Sequence, residues 1–171
     1  MTVDQVKKLV ADKGIEFFLC SFVEMGGAPK AKLVPATHLD DMATEGAGFA
    51  GFAAGNMGQG PHDPDMANIP DFNSLTVVPW DPKIAWVAGN IEVEGEAYDY
   101  CPRTILLRQL QKAQDKGLRL KLGVEAEFML LKKGDDGKYC IADPLDILEK
   151  PCYDLVTLNR HYPCGAGQRR L

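Results

Sequence analysis

The sequence predicts a mixed α+β fold over about its first hundred residues. Three observations carry that prediction: helical apolar spacing at the N-terminus, runs of branched and aromatic residues separated by turn formers, and the order helix, hairpin, helix, loop, two strands, with no internal repeat. The 171 residues suffice for one domain, or for a small domain and part of a larger one.

Val3, Val6, Leu9 and Val10 fall on one face of a short helix, and Gly14 stops it. "IEFFLCSFVE" reads as a strand, "MGGAP" supplies turn residues, and "KAKLVP" alternates polar with apolar, so a β-hairpin is expected. "ATHLDDMATEG" predicts a second helix that begins near Thr37 and ends at Gly46. From Gly46 to Asp71 the chain is rich in glycine and proline and has little periodicity. It reads as one long loop, a kind that is functional or mobile in compact domains. "SLTVVPW" and "KIAWVAGNIEVEG" then read as two strands joined by "DPK".

"CPR", Cys101–Arg103, is the best domain boundary. Beyond it, "TILLRQLQKAQDKG" sets Leu106, Leu107, Leu110 and Ala113 along one side of a helix, with Pro102 at its start and Gly117 past its end. "LRLKLGVEAEFMLL" reads as a strand and "KKGDDGKYC" as a second hairpin turn.

Composition excludes several classes of partner. With 46% hydrophobic and 25% charged residues and a net charge of −5, the chain is an ordinary globular sequence. No Lys/Arg cluster carries interleaved aromatics, which argues against nucleic acid and anionic membrane and for a small substrate. The N-terminus lacks the apolar core of a secretory signal, and no run reaches membrane-spanning length. Cys20, Cys101, Cys140, Cys152 and Cys164 are scattered, without a Cys-x-x-Cys pair, and read as reduced thiols of a cytoplasmic protein.

The chemistry-bearing stretch is "KLGVEAEFMLL". On a strand, Gly123, Glu125, Glu127 and Met129 share one face, while Leu122, Val124, Ala126 and Phe128 share the other. The two carboxylates look the same way, about 6.6 Å apart at Cα. Two neighbouring carboxylates need a counter-charge to stay ionised out of water, and Mg²⁺ or Mn²⁺ would provide one. A half-exposed strand whose glutamates face water fits the same spacing.

"GVEAEFMLL" resembles the Gly-x-Glu-x-Glu-Phe strand of the glutamine synthetase family. Further landmarks arrive in that family's order: "GGAPKAKLVPA", "GAGFAGFA", "PDMANIPD", "VVPWDPKIAWV", "CPRTILLRQL" and "EKPCYD". The fit runs from about residue 14 to Tyr162 and is best to the bacterial branch known as type III glutamate–ammonia ligases, which includes relatives that use methylamine. The resemblance implies a β-grasp domain over residues 1–101, the start of an α/β catalytic domain over 102–162, and a non-matching tail over 163–171. It also implies a homo-oligomeric ring with active sites between subunits. The reaction it implies is phosphorylation of the glutamate γ-carboxylate by ATP, followed by attack of ammonia or a small amine on the acyl phosphate. Glu125 matches the glutamate that holds the metal on the nucleotide side, and Glu127 matches a ligand of the metal nearer the substrate.

Two departures stand out. Many members carry an aspartate in the N-terminal loop that binds and deprotonates ammonium at the neighbour's site, and Ala50 falls at that position here. Asp63 or Asp65 of "PHDPD" could substitute, or the acceptor differs, while a plain polar turn is the simpler account of that stretch. The pattern also stops at "PCGAGQRRL", before the family's remaining metal ligands, nucleotide pocket and substrate arginines, so the chain is expected to be inactive alone. A frameshift, a premature stop or a mis-called gene would account for the tail, and so would a natural flexible terminus. A non-catalytic β-grasp module that docks onto a full-length ring is the competing function.

Overall fold

The computed structural model describes residues 1–126 and 129–142, which fall into two compact units divided between Lys121 and Leu122. Among the described residues no helix is long and apolar enough to cross a membrane.

The first unit is a mixed α/β body. Helix α1 (Val3–Lys13) begins with a capping box in which Thr2 and Gln5 satisfy each other's backbone N–H, and ends at Gly14 in the left-handed conformation. Strands β1 (Phe17–Val23) and β2 (Pro29–Pro35) form the expected hairpin, with Leu19 opposite Leu33. A 3-10 turn, Ala36–His38, leads into α2 (Leu39–Glu45), which stops at Gly46 as predicted.

The stretch from Gly46 to Asp71 is not one loop. Strand β3 (Ala47–Phe49) pairs antiparallel with β4 (Met66–Pro70), so the loop proper is the segment between them. Small residues hid these strands, because glycine and alanine carry no periodic apolar signal while their backbones pair as well as any. Strand β5 (Thr76–Val77) is only the middle of the predicted "SLTVVPW". Strand β6 (Ile84–Val93) spans the sheet and turns through Glu94 and Gly95, both at positive φ, into β7 (Glu96–Ala97).

Together these make a seven-stranded sheet in the order β2-β1-β6-β4-β3, with β5 and β7 also paired to β6. β1 lies parallel to β6 at its centre, Leu19 beside Trp86. Period-two alternation then divides the side chains. Phe18, Cys20, Phe22, Ala85, Val87 and Ile91 are all buried on one face. Two core clusters lie along that face. One joins Val6 of α1 and Leu39 and Met42 of α2 to Phe18, Cys20 and Val87; the other joins Ala54 and Met57 of the loop to Phe22, Met66, Ile91 and Cys101. Phe49 touches both clusters and stands edge-on to Phe22, ring centroids 5.0 Å apart. The opposite face is apolar too, with Phe17, Leu19, Ile84 and Trp86 half-buried and Leu33 exposed.

Helix α3 (Pro102–Asp115) has Pro102 in its first turn and buries only Thr104. Its predicted apolar side is open: Leu106 is 48% and Leu107 42% exposed.

In the second unit, β8 (Leu131–Lys133) and β9 (Tyr139–Ile141) form the predicted hairpin, closed by the Gly134 N–H on the Lys138 carbonyl at 2.8 Å. The strand expected over "LRLKLGVEAEFMLL" is not found: residues 118–126, 129 and 130 have no regular structure, and only Leu131 joins a strand. Val124, placed by spacing on the face opposite Glu125, is 96% exposed. A strand needs a neighbour for its N–H and C=O groups, and no described strand pairs with 118–126.

Candidate functional site

The residues singled out by sequence lie in two places, the loop after β3 and the stretch that holds Glu125. Ala50 opens the loop in extended backbone (φ −73°, ψ 110°) and offers no polar atom beyond the main chain. A 3-10 turn, Gly51–Ala53, carries the chain to Ala54 and Met57, both buried in the second core cluster. Two side chains far away in sequence hold that section. The Glu24 carboxylate accepts the Asn56 N–H at 3.0 Å, and the Tyr98 hydroxyl donates to the Met57 carbonyl at 2.6 Å. Burial first, then Tyr100 and the charge of Asp63, raise the Tyr98 phenol above its ordinary value, so it stays protonated as a donor.

The far half of the loop closes on itself. Asp63 accepts the Gly60 N–H at 2.6 Å, and the Gln59 amide donates to the Pro64 carbonyl at 3.2 Å, leaving residues 61–65 as an exposed polar turn. Asp63 is therefore engaged by its own turn. Asp65 is exposed. Among the described residues no hydrogen bond joins Ala50 to Asp63 or Asp65.

Glu125 is exposed in an unpaired stretch, and Glu127 lies outside the described residues. Among the described residues no three His, Cys, Asp or Glu side chains gather as a metal site. Carboxylate oxygens are the right donors for a hard cation, but Glu125 alone cannot hold one.

Sequence reasoning missed a polar junction at the root of α3. The Arg103 guanidinium donates to Asp71 at 2.7 Å and to the Asn90 amide oxygen at 2.6 Å, tying the helix start to β6 and to the end of β4. Arg103 and the Asn73 N–H hold the Asp71 carboxyl below the usual range, against the effect of burial. A lowered folded value means that Asp71 contributes stability above its ordinary value of 3.8, and that this contribution is lost as pH falls through the lowered one. Asp71→Asn is expected to cost about 1 kcal/mol at pH 7, discounted because both side chains are partly solvated. In urea titrations the gap between variant and parent should close in acid; a gap that is unchanged at pH 2.5 would contradict the assignment. The sequence held no signal for this pair, which lies thirty-two residues apart.

Comparisons with known proteins supply the context. The family model for the glutamine synthetase catalytic domain matches residues 99–162. A glutamine synthetase of Rhizobium leguminosarum bv. phaseoli is 40% identical over 162 residues, 95% of this chain and 36% of that protein. A glutamate–methylamine ligase of Methyloversatilis universalis is 38% identical over 161 residues, 94% of this chain and 36% of that protein. Among solved structures, the ADP complex of GmaS superposes with a TM-score of 0.74 at 38% identity, covering 91% of this chain and 35% of that one. The chain thus spans about a third of the length of the relatives it matches. A family model, two ligase relatives and a shared fold agree that the chain is similar to about a third of the length of glutamine synthetase-family proteins.

Proposed function

We propose that these residues are part of an ATP-dependent ligase that joins ammonia or methylamine to the γ-carboxylate of glutamate through an acyl phosphate, and that alone they do not complete the reaction. The observation that carries this is the continuous match: 95% of the chain aligns at 40% identity with a protein named glutamine synthetase. Both acceptors stay in play, because the second relative is named for methylamine.

Residues 1–101 serve as the β-grasp part, a role supported by a hairpin whose first strand lies parallel to β6 in the middle of the sheet. Residues 102–162 supply the start of the catalytic part, in keeping with the family match over 99–162, and 163–171 stand outside it. Glu125 and Glu127 are proposed ligands for Mg²⁺ or Mn²⁺, which when bound would neutralise phosphate charge during transfer from ATP. Assembly as a homo-oligomeric ring in the cytoplasm goes with the same proposal.

The purified 171-residue chain, given glutamate, ATP, Mg²⁺ and hydroxylamine, is expected to form no γ-glutamyl hydroxamate above a blank. Steady hydroxamate formation would overturn the claim that the chain is insufficient alone.

A further inference from the structure

We infer that the Glu24 carboxylate is a latch: it binds the loop around Asn56 to the turn of the β1–β2 hairpin and so sets where that loop stands. Glu24 is only 4% exposed, yet among the described residues no cation is in bonding contact with it. Its two oxygens are satisfied by main-chain donors instead. Within its own turn they accept the Gly26 N–H at 2.8 Å and the Ala28 N–H at 2.7 Å, and across the chain the Asn56 N–H at 3.0 Å. The Met25 N–H meets the Asn56 carbonyl at 3.4 Å, so both main-chain polar groups of Asn56 face the hairpin.

Small residues make the approach possible. A Cβ on Gly26 would lie 2.9 Å from a Glu24 oxygen, and one on Gly55 would lie 3.3 Å from both Glu24 Cγ and Lys30 Cε. Gly55 also holds φ +96°, which an L side chain resists. The carboxylate thus has a cradle built on two sides, and Lys30 is the charged neighbour beside it. The hairpin donors are local and would fold the turn without the loop. The Asn56 bond is the one that spans thirty-two residues.

Once the latch is removed, the loop keeps Met57 in the core and the Tyr98 bond, and its tie to the hairpin falls to the long Met25–Asn56 bond at 3.4 Å. The effect is local loosening rather than unfolding, which native-state hydrogen exchange resolves. In Glu24→Ala, amides of 54–58 and of the 24–28 turn should exchange at least about tenfold faster, with β1 and β6 unchanged. Gly55→Ala pushes from the loop side, leaving the carboxylate and the turn intact. It should speed exchange in 54–58 alone, and it decides the matter if Glu24→Ala does not fold. Unchanged loop exchange in these variants, or an equal rise across all strands, would overturn the latch. Because the readout is amide exchange in this chain, the result is independent of the ligase proposal.

Discussion

Gly46→Ala is expected to be strongly destabilising, costing about 3–5 kcal/mol, much of a typical domain's stability. Gly46 ends α2 at φ 76° and ψ −175°, a region open in practice only to glycine. Space is closed as well as conformation. A Cβ there would stand 2.8 Å from Ile69 Cδ1, 2.9 Å from the Asn68 carbonyl oxygen and 3.0 Å from its carbon. The Ile69 side chain can swing away, but the Asn68 backbone cannot, because Asn68 is paired with Ala47 on one side and Ile91 on the other. Gly14→Ala is the matched control. Gly14 also ends a helix at positive φ, 66°, but with ψ 36° it sits in the ordinary left-handed region, and nothing lies within 4 Å of its Cβ position. Its cost should be about 1 kcal/mol, from conformation alone. Urea midpoints of the two variants measure the difference. A gap under about 1 kcal/mol would mean that the α2 end relaxes and the clash is not real.

Both glycine stops were legible, because apolar spacing ended just before them. The hairpin and β6 were legible because "IEFFLCSFVE" and "KIAWVAGNIEVEG" are runs of branched and aromatic residues bounded by turn formers. β3 and β4 were not, since "AGF" and "MANIP" show no alternation that distinguishes a paired strand from a loop. The second apolar face of β1 was visible only as an unusual density of aromatic residues. Glu24 lay before a Gly-Gly turn, which hints at a local cap, but its partner Asn56 is fixed by tertiary packing that no local pattern encodes. At Glu125 the failure ran the other way. Alternation was present, yet it specifies which way side chains point only if the strand has neighbours. Identity came from motif order, and geometry did not.

The largest functional effect is expected at Glu125 and Glu127, tested in a chimera in which residues 1–162 replace the matched part of the Rhizobium glutamine synthetase. That protein is 40% identical over the replaced stretch, so its remaining two thirds should find the partner surfaces they need. Hydroxamate formation should survive in the chimera. Glu125→Gln and Glu127→Gln preserve shape and remove charge, and each should lower kcat/KM at least about a hundredfold, since even groups that only orient a ligand cost ten- to a hundredfold. Excess metal should recover part of the loss by mass action if the defect is affinity. Asp63→Ala and Asp65→Ala separate the two accounts of the loop. Asp63 caps its own turn, so neither change should raise the KM for ammonium or methylamine more than about twofold. A large rise in the amine KM would instead make "PHDPD" the substitute for the acidic group that Ala50 cannot supply. Normal activity in both glutamine variants would remove the metal role altogether and return Glu125 to a solvated side chain.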